Sequence, residues 1–426
     1  MEKHDCTYEK YTEILRQELI PAMGCTEPIA VAYCAAKARS LLGTIPYKVE
    51  VEASGNIIKN VKSVIVPNTA GAKGLEAAAG IGVVAGREDL RLEVLSQVSE
   101  EDKRRFAQWM EKADVTVRQA DDGRLLSITV RVYDGAHSAA AKIADTHDHI
   151  VYLEKDGKVL LDTPLTSAQT VEKPGYEVLT VEGICRYAEI ADIADVREIL
   201  DRQIAYNTAI ADEGLRSDYG ANIGKVLLQN EGDSVRTRAK ARPAAGSDAR
   251  MNGCELPVVI NSGSGNQGMT ASLPVLEYGA HLHADKDTVY RALLVSNLLA
   301  IHIKTGIGCL SAYCGAVSAG AAAGAGIAWL QGGRFTEVAH TIVNALAVTS
   351  GIVCDGAKAS CAAKIAIAVD AGLLGYEMFK MGQQFYGGDG IVSLGVENTI
   401  HNICRLGHDG MRETDKEILD IMTCVD

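Results

Sequence analysis

Three cysteines in the last third of the chain, Cys309, Cys354 and Cys361, lie in glycine- and alanine-rich stretches. Their contexts are KTGIGCLSAYCG and SGIVCDGAKASCAAK, in which small neighbours leave room for a bulky group beside each thiol. Three thiolates can hold a cubane iron–sulfur cluster and leave one iron without a protein ligand. An iron with an open position is a Lewis acid, so the pattern indicates catalysis rather than electron transfer.

A zinc site is the alternative use of these thiols, with Cys314 as the fourth ligand. Structural zinc sites usually place roughly two to four residues between paired cysteines. Four residues separate Cys309 from Cys314 and six separate Cys354 from Cys361, so the spacing favours a cluster. Cys254 stays an additional candidate thiol. The cysteines without a motif around them are interpreted as packing residues: Cys6, Cys34, Cys185, Cys404 and Cys424.

Cys25 stands in the segment PAMGCTEPIA near the N-terminus. Thr26 is a plausible N-cap and Pro28 suits a first helical turn, so the segment predicts a helix that runs to about Leu42. The dipole and the free N–H groups at a helix N-terminus lower the pKa of a thiol. We therefore interpret Cys25, with Glu27 beside it, as a candidate catalytic thiolate.

Two glycine- and asparagine-rich segments are typical of ligand-binding loops. The first covers 54–60 (SGNIIKN) and continues with VPNTAG, and the second covers 261–268 (NSGSGNQG). Backbone N–H groups and hydroxyls in such loops suit a carboxylate or phosphate. The spacing matches neither a Walker loop nor a dinucleotide fingerprint. The candidate substrate-binding residues are Ser54, Asn56, Asn68, Thr69, Asn261, Ser262, Gly263, Ser264, Gly265, Asn266 and Gln267.

Other polar residues near these motifs have two interpretations. His147 and His149, two positions apart, would face the same side of a strand and could bind metal or act in catalysis. A turn of polar residues is the favoured interpretation of that segment. Lys304, Asp355 and Lys358 flank the cluster cysteines and could serve the substrate carboxylate, the cluster or structural ion pairs.

The elements that must position these residues fall into three stretches. Residues 7–19 have helical periodicity, and the capping signals after Cys25 predict the second helix. Beyond residue 177 the pattern is helical again. Between them, segments with alternating apolar residues predict strands at 47–54, 90–99, 114–120, 125–134 and 149–162, with a hairpin turn at Asp156-Gly157. Helix-like segments separate the strands at 69–86 and 98–113.

This order predicts an α+β fold with an insertion. A mainly helical catalytic domain would comprise residues 1–45 and 175–426. The inserted α+β domain at 46–174 would contain a mixed or antiparallel sheet. The candidate residues come from distant segments, so we expect the site at the junction of the two parts.

Composition narrows the class of protein. The chain has 426 residues, a net charge of −13 and no long basic run, which argues against nucleic acid and anionic membranes as partners. The apolar stretch 293–328 contains His302 and many glycines, so it predicts buried helices rather than a membrane span. Eleven cysteines without a secretory signal are expected to be reduced thiols in a cytoplasm. Glycine- and alanine-rich helices are compatible with a homodimer.

Several motifs together resemble the L-cysteine desulfidase family, also called the serine dehydratase alpha-like or UPF0597 group. They are PAMGCTEPIA, SGNIIKNV with VPNT, NSGSGNQGMTASLPV, HIKTGIGCLSAYCGA, GIVCDGAKASCAAK and GGDGIVSLGVENTI. The resemblance spans nearly the whole chain. It implies a lyase, independent of pyridoxal phosphate, that converts L-cysteine and water to pyruvate, ammonia and sulfide with a 4Fe–4S cluster.

The resemblance also implies roles for individual residues. Cys309, Cys354 and Cys361 match the cluster ligands, Cys25 matches an acid or base, and residues 261–268 match a loop that we assign to the substrate carboxylate and amine. An iron–sulfur dehydratase of L-serine or another amino acid is the alternative function, because the sequence does not distinguish the leaving groups. A non-catalytic amino-acid- or sulfur-sensing protein is the third hypothesis, and the presence of Cys25 beside the three ligand cysteines argues against it.

Overall fold

Helices dominate the chain on both sides of a six-stranded sheet in the computed structural model, which describes residues 1–2, 5–165, 175–308 and 310–423. The predicted α+β class is confirmed, and so is the mixed sheet. The predicted ligand Cys309 lies outside the described residues, as does Cys424. The predicted domain boundaries near residues 45 and 174 stay a prediction.

Two helices precede the sheet. Helix α1 (Cys6–Glu18) confirms the helix expected at 7–19, and its buried face carries Tyr8, Tyr11 and Leu15. A short strand, β1 (Pro21–Met23), follows. Helix α2 (Thr26–Leu42) then begins one residue earlier than predicted, because Cys25 rather than Thr26 occupies the N-cap.

The inserted segment forms a mixed sheet in the order β3-β2-β4-β5-β6-β7. Only β2 and β3 run parallel, and every other neighbouring pair is antiparallel. Alternating residues of β2, Val49 and Val51 among them, are buried. The strands are β2 (Lys48–Ala53), β3 (Asp114–Gln119), β4 (Ser127–Asp134), β5 (His137–Ala144), β6 (Ile150–Lys155) and β7 (Lys158–Asp162). The Asp156-Gly157 turn between β6 and β7 is confirmed, with φ of 48° and 77°.

Three helices connect or flank these strands: α3 (Gly55–Val61), α4 (Gly74–Ala85) and α5 (Glu100–Met110). Helices α4 and α5 confirm two predicted segments. The predicted loop at 54–60 was wrong, since most of it is α3. The strand predicted at 90–99 was also wrong, because a 3-10 helix covers Glu88–Glu93 and the adjacent Val94 and Leu95 are buried by side-chain packing. Strand β5 was not predicted, since its alanines carry little β-propensity.

Helices dominate the described residues that follow the sheet. They are α6 (Val181–Ile190), α7 (Arg197–Arg216), α8 (Ile223–Glu231), α9 (Val235–Met251), α10 (Gly265–His281), α11 (Lys286–Ile307), α12 (Gly315–Leu330), α13 (Phe335–Thr349), α14 (Ser360–Lys380), α15 (Val396–Arg405) and α16 (Arg412–Thr423). The apolar stretch 293–328 forms parts of α11 and α12, both largely buried, as predicted. None of the helices in the described ranges combines the length and apolarity needed to cross a bilayer.

A short strand between α9 and α10, β8 (Pro257–Val259), pairs antiparallel with β1. The pairing matches Pro21 with Val259 and Met23 with Pro257. It fixes the turn before α2 against the segment that leads into α10. Cys25 and the predicted loop at 261–268, which are distant in sequence, therefore become neighbours.

Helices α12 and α14 cross at glycines, and this contact generates a prediction about stability. A Cβ at Gly372 would overlap the carbonyl oxygen of Gly320, a backbone atom that moves only if α12 moves. We expect Gly372→Ala to lower the free energy of unfolding by about 1–3 kcal/mol, although alanine favours a helix. Urea denaturation measures the change.

Gly351→Ala is the control, because a Cβ there meets nothing within 4 Å. Its effect on the free energy of unfolding should stay below about 0.5 kcal/mol. Equal stability of the two variants would contradict close packing at this crossing.

Candidate active site

A cavity of about 100 Å³ lies where α3, α9, α10, α11, α12 and α14 meet the start of α2. This volume suits a small ligand or several waters. Two of the three predicted cluster ligands, Cys354 and Cys361, line this cavity. The same cavity is lined by Cys25 and Cys314, so the described chain brings four cysteines to one place.

A short antiparallel contact joins the segments that carry the cysteines. Tyr313 and Val353 form an isolated β-bridge. The Cys354 N–H donates to the Ala312 carbonyl at 2.6 Å, and the Cys314 N–H donates to the Ile352 carbonyl at 3.1 Å. The turn that follows α11 is thereby held beside the turn that leads to α14, whose first turn contains Cys361.

The thiols in this cavity influence one another electrostatically. Burial raises the pKa of Cys314 to about 12, and the neighbouring Cys354 and Cys361 add to the rise. Burial also raises the pKa of Cys361, with a further contribution from Cys354. Soft thiolates are the ligands that iron–sulfur clusters take, so the chemistry of the donor set fits such a cluster. Among the described residues, no three cysteine, histidine or acidic side chains are arranged to hold a metal ion, and the predicted third ligand, Cys309, lies outside them.

The charged residues around the cysteines are mostly paired with one another. Asp355 accepts from Lys358 at 2.5 Å and also pairs with Lys364. This arrangement corresponds to the structural ion pairs considered for Asp355 and Lys358. Lys304 lines the cavity and is only 4 % exposed.

Cys25 and Glu27 form a hydrogen-bonded pair at the start of α2. The Cys25 thiol donates to Glu27 Oε2 at 3.0 Å, and Asn60 Nδ2 donates to Glu27 Oε1 at 3.0 Å. His147 Nε2 lies 4.0 Å from Glu27 Oε1. Because Thr26 also donates to the Gly263 carbonyl at 2.9 Å, the pair is held against the segment before α10.

The prediction that Cys25 is a thiolate was wrong, because its environment favours the protonated thiol. Burial raises the pKa of Cys25 well above its ordinary value, and the negative charge of Glu27 raises it further. Burial also raises the pKa of Glu27, but the charge of His147, the hydrogen bond from Cys25 and the charge of Arg250 outweigh it and lower the pKa. The resting pair is therefore a thiol donating to a carboxylate. The dipole of α2 is too weak to reverse the cost of burying a thiolate beside a carboxylate.

Four of the predicted substrate-binding residues line the cavity: Asn56, Ser264, Asn266 and Gln267. Two of them present buried side-chain oxygens, Asn56 Oδ1 and Gln267 Oε1, that have no hydrogen-bond partner among the described residues. Buried polar atoms are normally paired, so these oxygens are candidates for contact with a ligand.

The remaining predicted residues do not line the cavity. Asn261 donates to the carbonyl and the side chain of Asn297, and Ser262 donates to Asn261. Asn68, Thr69 and Ser54 donate to backbone carbonyls of Leu95, Val66 and Leu125. Gly263 and Gly265 complete the segment, which is a loop only as far as Ser264, because α10 begins at Gly265.

Both histidines lie in the turn between β5 and β6, and neither is on a strand. His147 is buried beside Glu27, whereas His149 is exposed. The favoured interpretation of this segment as a polar turn is correct for the backbone. It did not predict that His147 lies beside Glu27. Cys254 is buried and does not line the cavity.

Sequence reasoning did not find Arg250. Its Nε donates to the Gly24 carbonyl at 2.8 Å, and its Nη1 donates to Asn266 Oδ1 at 3.1 Å. The signal available in the sequence was an arginine within an alanine-rich helix, RPAAGSDARM, whose other residues are mostly small.

A second cavity of about 400 Å³ adjoins the first and shares Asn56, Lys59, Leu310 and Ser311 with it. It lies between α3 and the last helix, α16. The buried Lys59 pairs with Asp415 of α16 and lies 3.5 Å from the Cys354 carbonyl. The last helix is thereby tied to the segment that carries the cysteines.

Comparison with known proteins gives consistent matches. The model of the serine dehydratase alpha chain family matches residues 89–420. A UPF0597 protein of Desulfitobacterium hafniense (strain Y51) is 56% identical over 422 residues, which cover 99% of this chain and 98% of that protein. UPF0597 proteins of Lachnoclostridium phytofermentans and Treponema denticola are 51% and 45% identical, each over 97% of this chain and 99% and 98% of their own lengths.

The thiol–carboxylate pair generates a prediction about reactivity. We expect iodoacetamide to label Cys25 at pH 7 at least about tenfold more slowly than the exposed Cys6, because the thiolate is the reactive form. Glu27→Gln should lower the pH at which labelling of Cys25 reaches half its maximal rate, because it removes a charge and an acceptor that raise the pKa of the thiol. Peptide mass spectrometry of cluster-free protein over a pH series measures both effects.

The control is Glu255→Gln, which removes an exposed carboxylate that pairs with Lys103 and should leave the labelling of Cys25 unchanged. Rapid labelling of Cys25 near pH 7 in the unaltered protein would contradict the assignment of a protonated thiol.

Proposed function

Because this chain belongs to the serine dehydratase alpha chain family, within its UPF0597 group, we propose that it is an L-cysteine desulfidase. Membership of the family indicates a lyase-type enzyme. The proposed reaction eliminates sulfide from L-cysteine and yields pyruvate and ammonia. The observation that carries the proposal is the meeting of Cys25 and Glu27 with Cys354 and Cys361 in one small cavity.

We assign Cys354 and Cys361, together with Cys309, to a 4Fe–4S cluster, the type of cofactor that is typical of this family. Free thiols, small neighbours and their mutual electrostatic influence support the assignment. A bound cluster with an open iron supplies a Lewis acid for the departing sulfur. Cys314 lies in the same cavity, so it is the residue that separates this assignment from a zinc site.

Cys25 and Glu27 together form the proposed proton relay. As the substrate Cα proton moves to Cys25 Sγ, the thiol proton of Cys25 moves to the Glu27 carboxylate along their 3.0 Å hydrogen bond. The substrate is bound as its thiolate. When the Cβ–S bond breaks, Cys25 donates its proton to the departing sulfur, and Glu27 returns the other proton to Cys25. The products are hydrosulfide (HS−) and aminoacrylate, which tautomerises and hydrolyses to pyruvate and ammonia.

His147 and Asn60 support this relay without touching the substrate. The charge of His147 and the hydrogen bond from Asn60 hold Glu27 as a carboxylate that points at the thiol. The side chain of Glu27 is only 13 % exposed, so little water competes for the proton. Asn56, Ser264, Asn266 and Gln267 are the proposed contacts to the amine and carboxylate of the substrate.

An iron–sulfur L-serine dehydratase is the second candidate, and the serine dehydratase alpha chain match favours it. Both reactions remove the same proton and lose a group from Cβ. They differ only in whether sulfur or oxygen departs.

The first prediction of this proposal concerns products. Anaerobically reconstituted protein should release sulfide and pyruvate in equal amounts from L-cysteine. The cluster should give the protein an absorbance at about 400 nm. Sulfide is measured colorimetrically and pyruvate by a coupled assay, with L-serine as the parallel substrate. Pyruvate from L-serine without sulfide from L-cysteine would identify a dehydratase, and neither product from cluster-loaded protein would reject both functions.

The second prediction separates the roles of the cysteines. Cys354→Ser and Cys361→Ser should lose cluster absorbance and turnover together, whereas Cys25→Ala should keep the absorbance and lose at least about 100-fold in kcat. Cys314→Ser should keep the cluster, and the exposed Cys6→Ser is the matched control with full activity. Loss of absorbance in Cys25→Ala would make Cys25 a ligand, and stoichiometric zinc that Cys314→Ser abolishes would favour the zinc site.

A further inference from the structure

Arg250 is the largest charged side chain buried beside the candidate active site. It lies in the last turn of α9, is only 2 % exposed, and lines the cavity. A guanidinium does not lose its proton in proteins, so its positive charge enters the interior and must be offset there. The groups around Arg250 therefore indicate which kind of ligand its charge would bind.

The direct protein partners of Arg250 are neutral. Its Nε and Nη1 donate to the Gly24 carbonyl and to Asn266 Oδ1, which uses two of the five N–H donors of a guanidinium. No carboxylate forms an ion pair with it in the described ranges. The charge of Arg250 lowers the pKa of Glu27, although no ion pair joins these two residues in the described ranges.

Other arginines of α9, unlike Arg250, form ion pairs with carboxylates. Arg236 pairs with Asp370, Arg238 with Asp233 and Glu277, and Arg242 with Asp212. These three are more exposed than Arg250, so they need the pairing less. The arginine with the highest desolvation cost is thus the one left without a carboxylate, which is the arrangement expected of a site that receives an anion from a ligand.

The packing around the guanidinium is specific. Arg250 lies against Gly265, where a Cβ would overlap its Nε, so a side chain at that position would push the guanidinium away. Gly265 is also the first residue of α10, whose N-cap Ser264 makes no side-chain capping hydrogen bond. The positive end of α10 and the guanidinium therefore face the same cavity, and both favour a negative charge.

The cavity also offers acceptors for a positive group. Gln267 Oε1 and Asn56 Oδ1 are buried, line the cavity and have no partner among the described residues. A ligand that carries a carboxylate and an ammonium would use both the donors of Arg250 and these oxygens. Free α-amino acids carry both groups on one carbon.

We propose that Arg250 binds the carboxylate of an α-amino acid and so restricts the substrates of the site to this class. This inference rests on the proposed function for the identity of the reaction, but not for the binding. Asn56 and Gln267 receive the ammonium group in this arrangement. A thiol or alcohol without a carboxylate would leave the guanidinium buried and unpaired, which the site disfavours.

The test compares two ligands that differ only in charge. L-Alanine has the carboxylate but no leaving group, and L-alaninamide replaces the carboxylate with a neutral amide. Calorimetric titration of the reconstituted protein should give L-alanine an affinity about 10- to 100-fold higher than that of the amide. Arg250→Gln should remove this preference by weakening L-alanine alone, and Arg250→Lys should retain part of it because the charge remains.

Arg238→Gln is the matched control on the same helix and should leave both affinities unchanged. A purely structural role of Arg250 would weaken both ligands equally, and this result in Arg250→Gln would overturn the proposal. If that variant does not fold, the unaltered protein still decides, because equal affinity for the two ligands, or none for either, overturns the proposal. A carboxylate preference in a protein that turns over neither cysteine nor serine would reject the proposed reaction and retain the role of Arg250.

Discussion

The burial of two opposite charges that do not touch, Glu27 and Arg250, is the constraint around which the candidate site is arranged. Each would be costly to bury alone. Glu27 is held by donors from Cys25 and Asn60 and by the nearby His147, and Arg250 is held by a carbonyl and an amide oxygen. Because Glu27 and Arg250 do not cancel each other's charge by direct contact, the surrounding elements must hold each of them in place.

The scaffold meets this requirement with two short backbone contacts and a packed helical core. Pairing of β1 with β8 sets the start of α2 against the start of α10, and the Tyr313–Val353 bridge sets the two cysteine-bearing turns side by side. Helix α12 lies between α10, α11 and α14 and is almost entirely buried, so the elements that carry the site pack against one rigid support. Rigid supporting elements hold reacting groups within the small tolerance that catalysis requires.

The environment of Cys25 changes the chemical interpretation of the helix N-terminus. A thiol at that position is often activated as a thiolate. Here burial and a neighbouring carboxylate keep the proton on sulfur, so the pair exchanges a proton instead of presenting a permanent nucleophile. Such a pair suits an elimination, in which one proton leaves carbon and one returns to the departing group. It also avoids a reactive exposed thiolate next to the candidate cluster ligands.

The sequence by itself determined the local elements and the chemistry-bearing motifs. Periodicity located α1 and most strands, and capping signals located α2. The contexts of Cys25, Cys354 and Cys361 marked residues that the fold brings into one cavity. The sequence pattern predicted a strand at residues 90–99, where the alternating apolar residues are buried by packing of a 3-10 helix and its neighbours. It did not predict the alanine-rich strand β5. Only the tertiary structure decided which polar residues line the cavity: Asn68 and Thr69 donate to backbone carbonyls, whereas Asn56 and Gln267 line it. The tertiary structure also decided that Cys25 keeps its proton and that Arg250 belongs to the site. These outcomes depend on desolvation and on partners far away in the chain, and neither quantity is contained in local residue patterns.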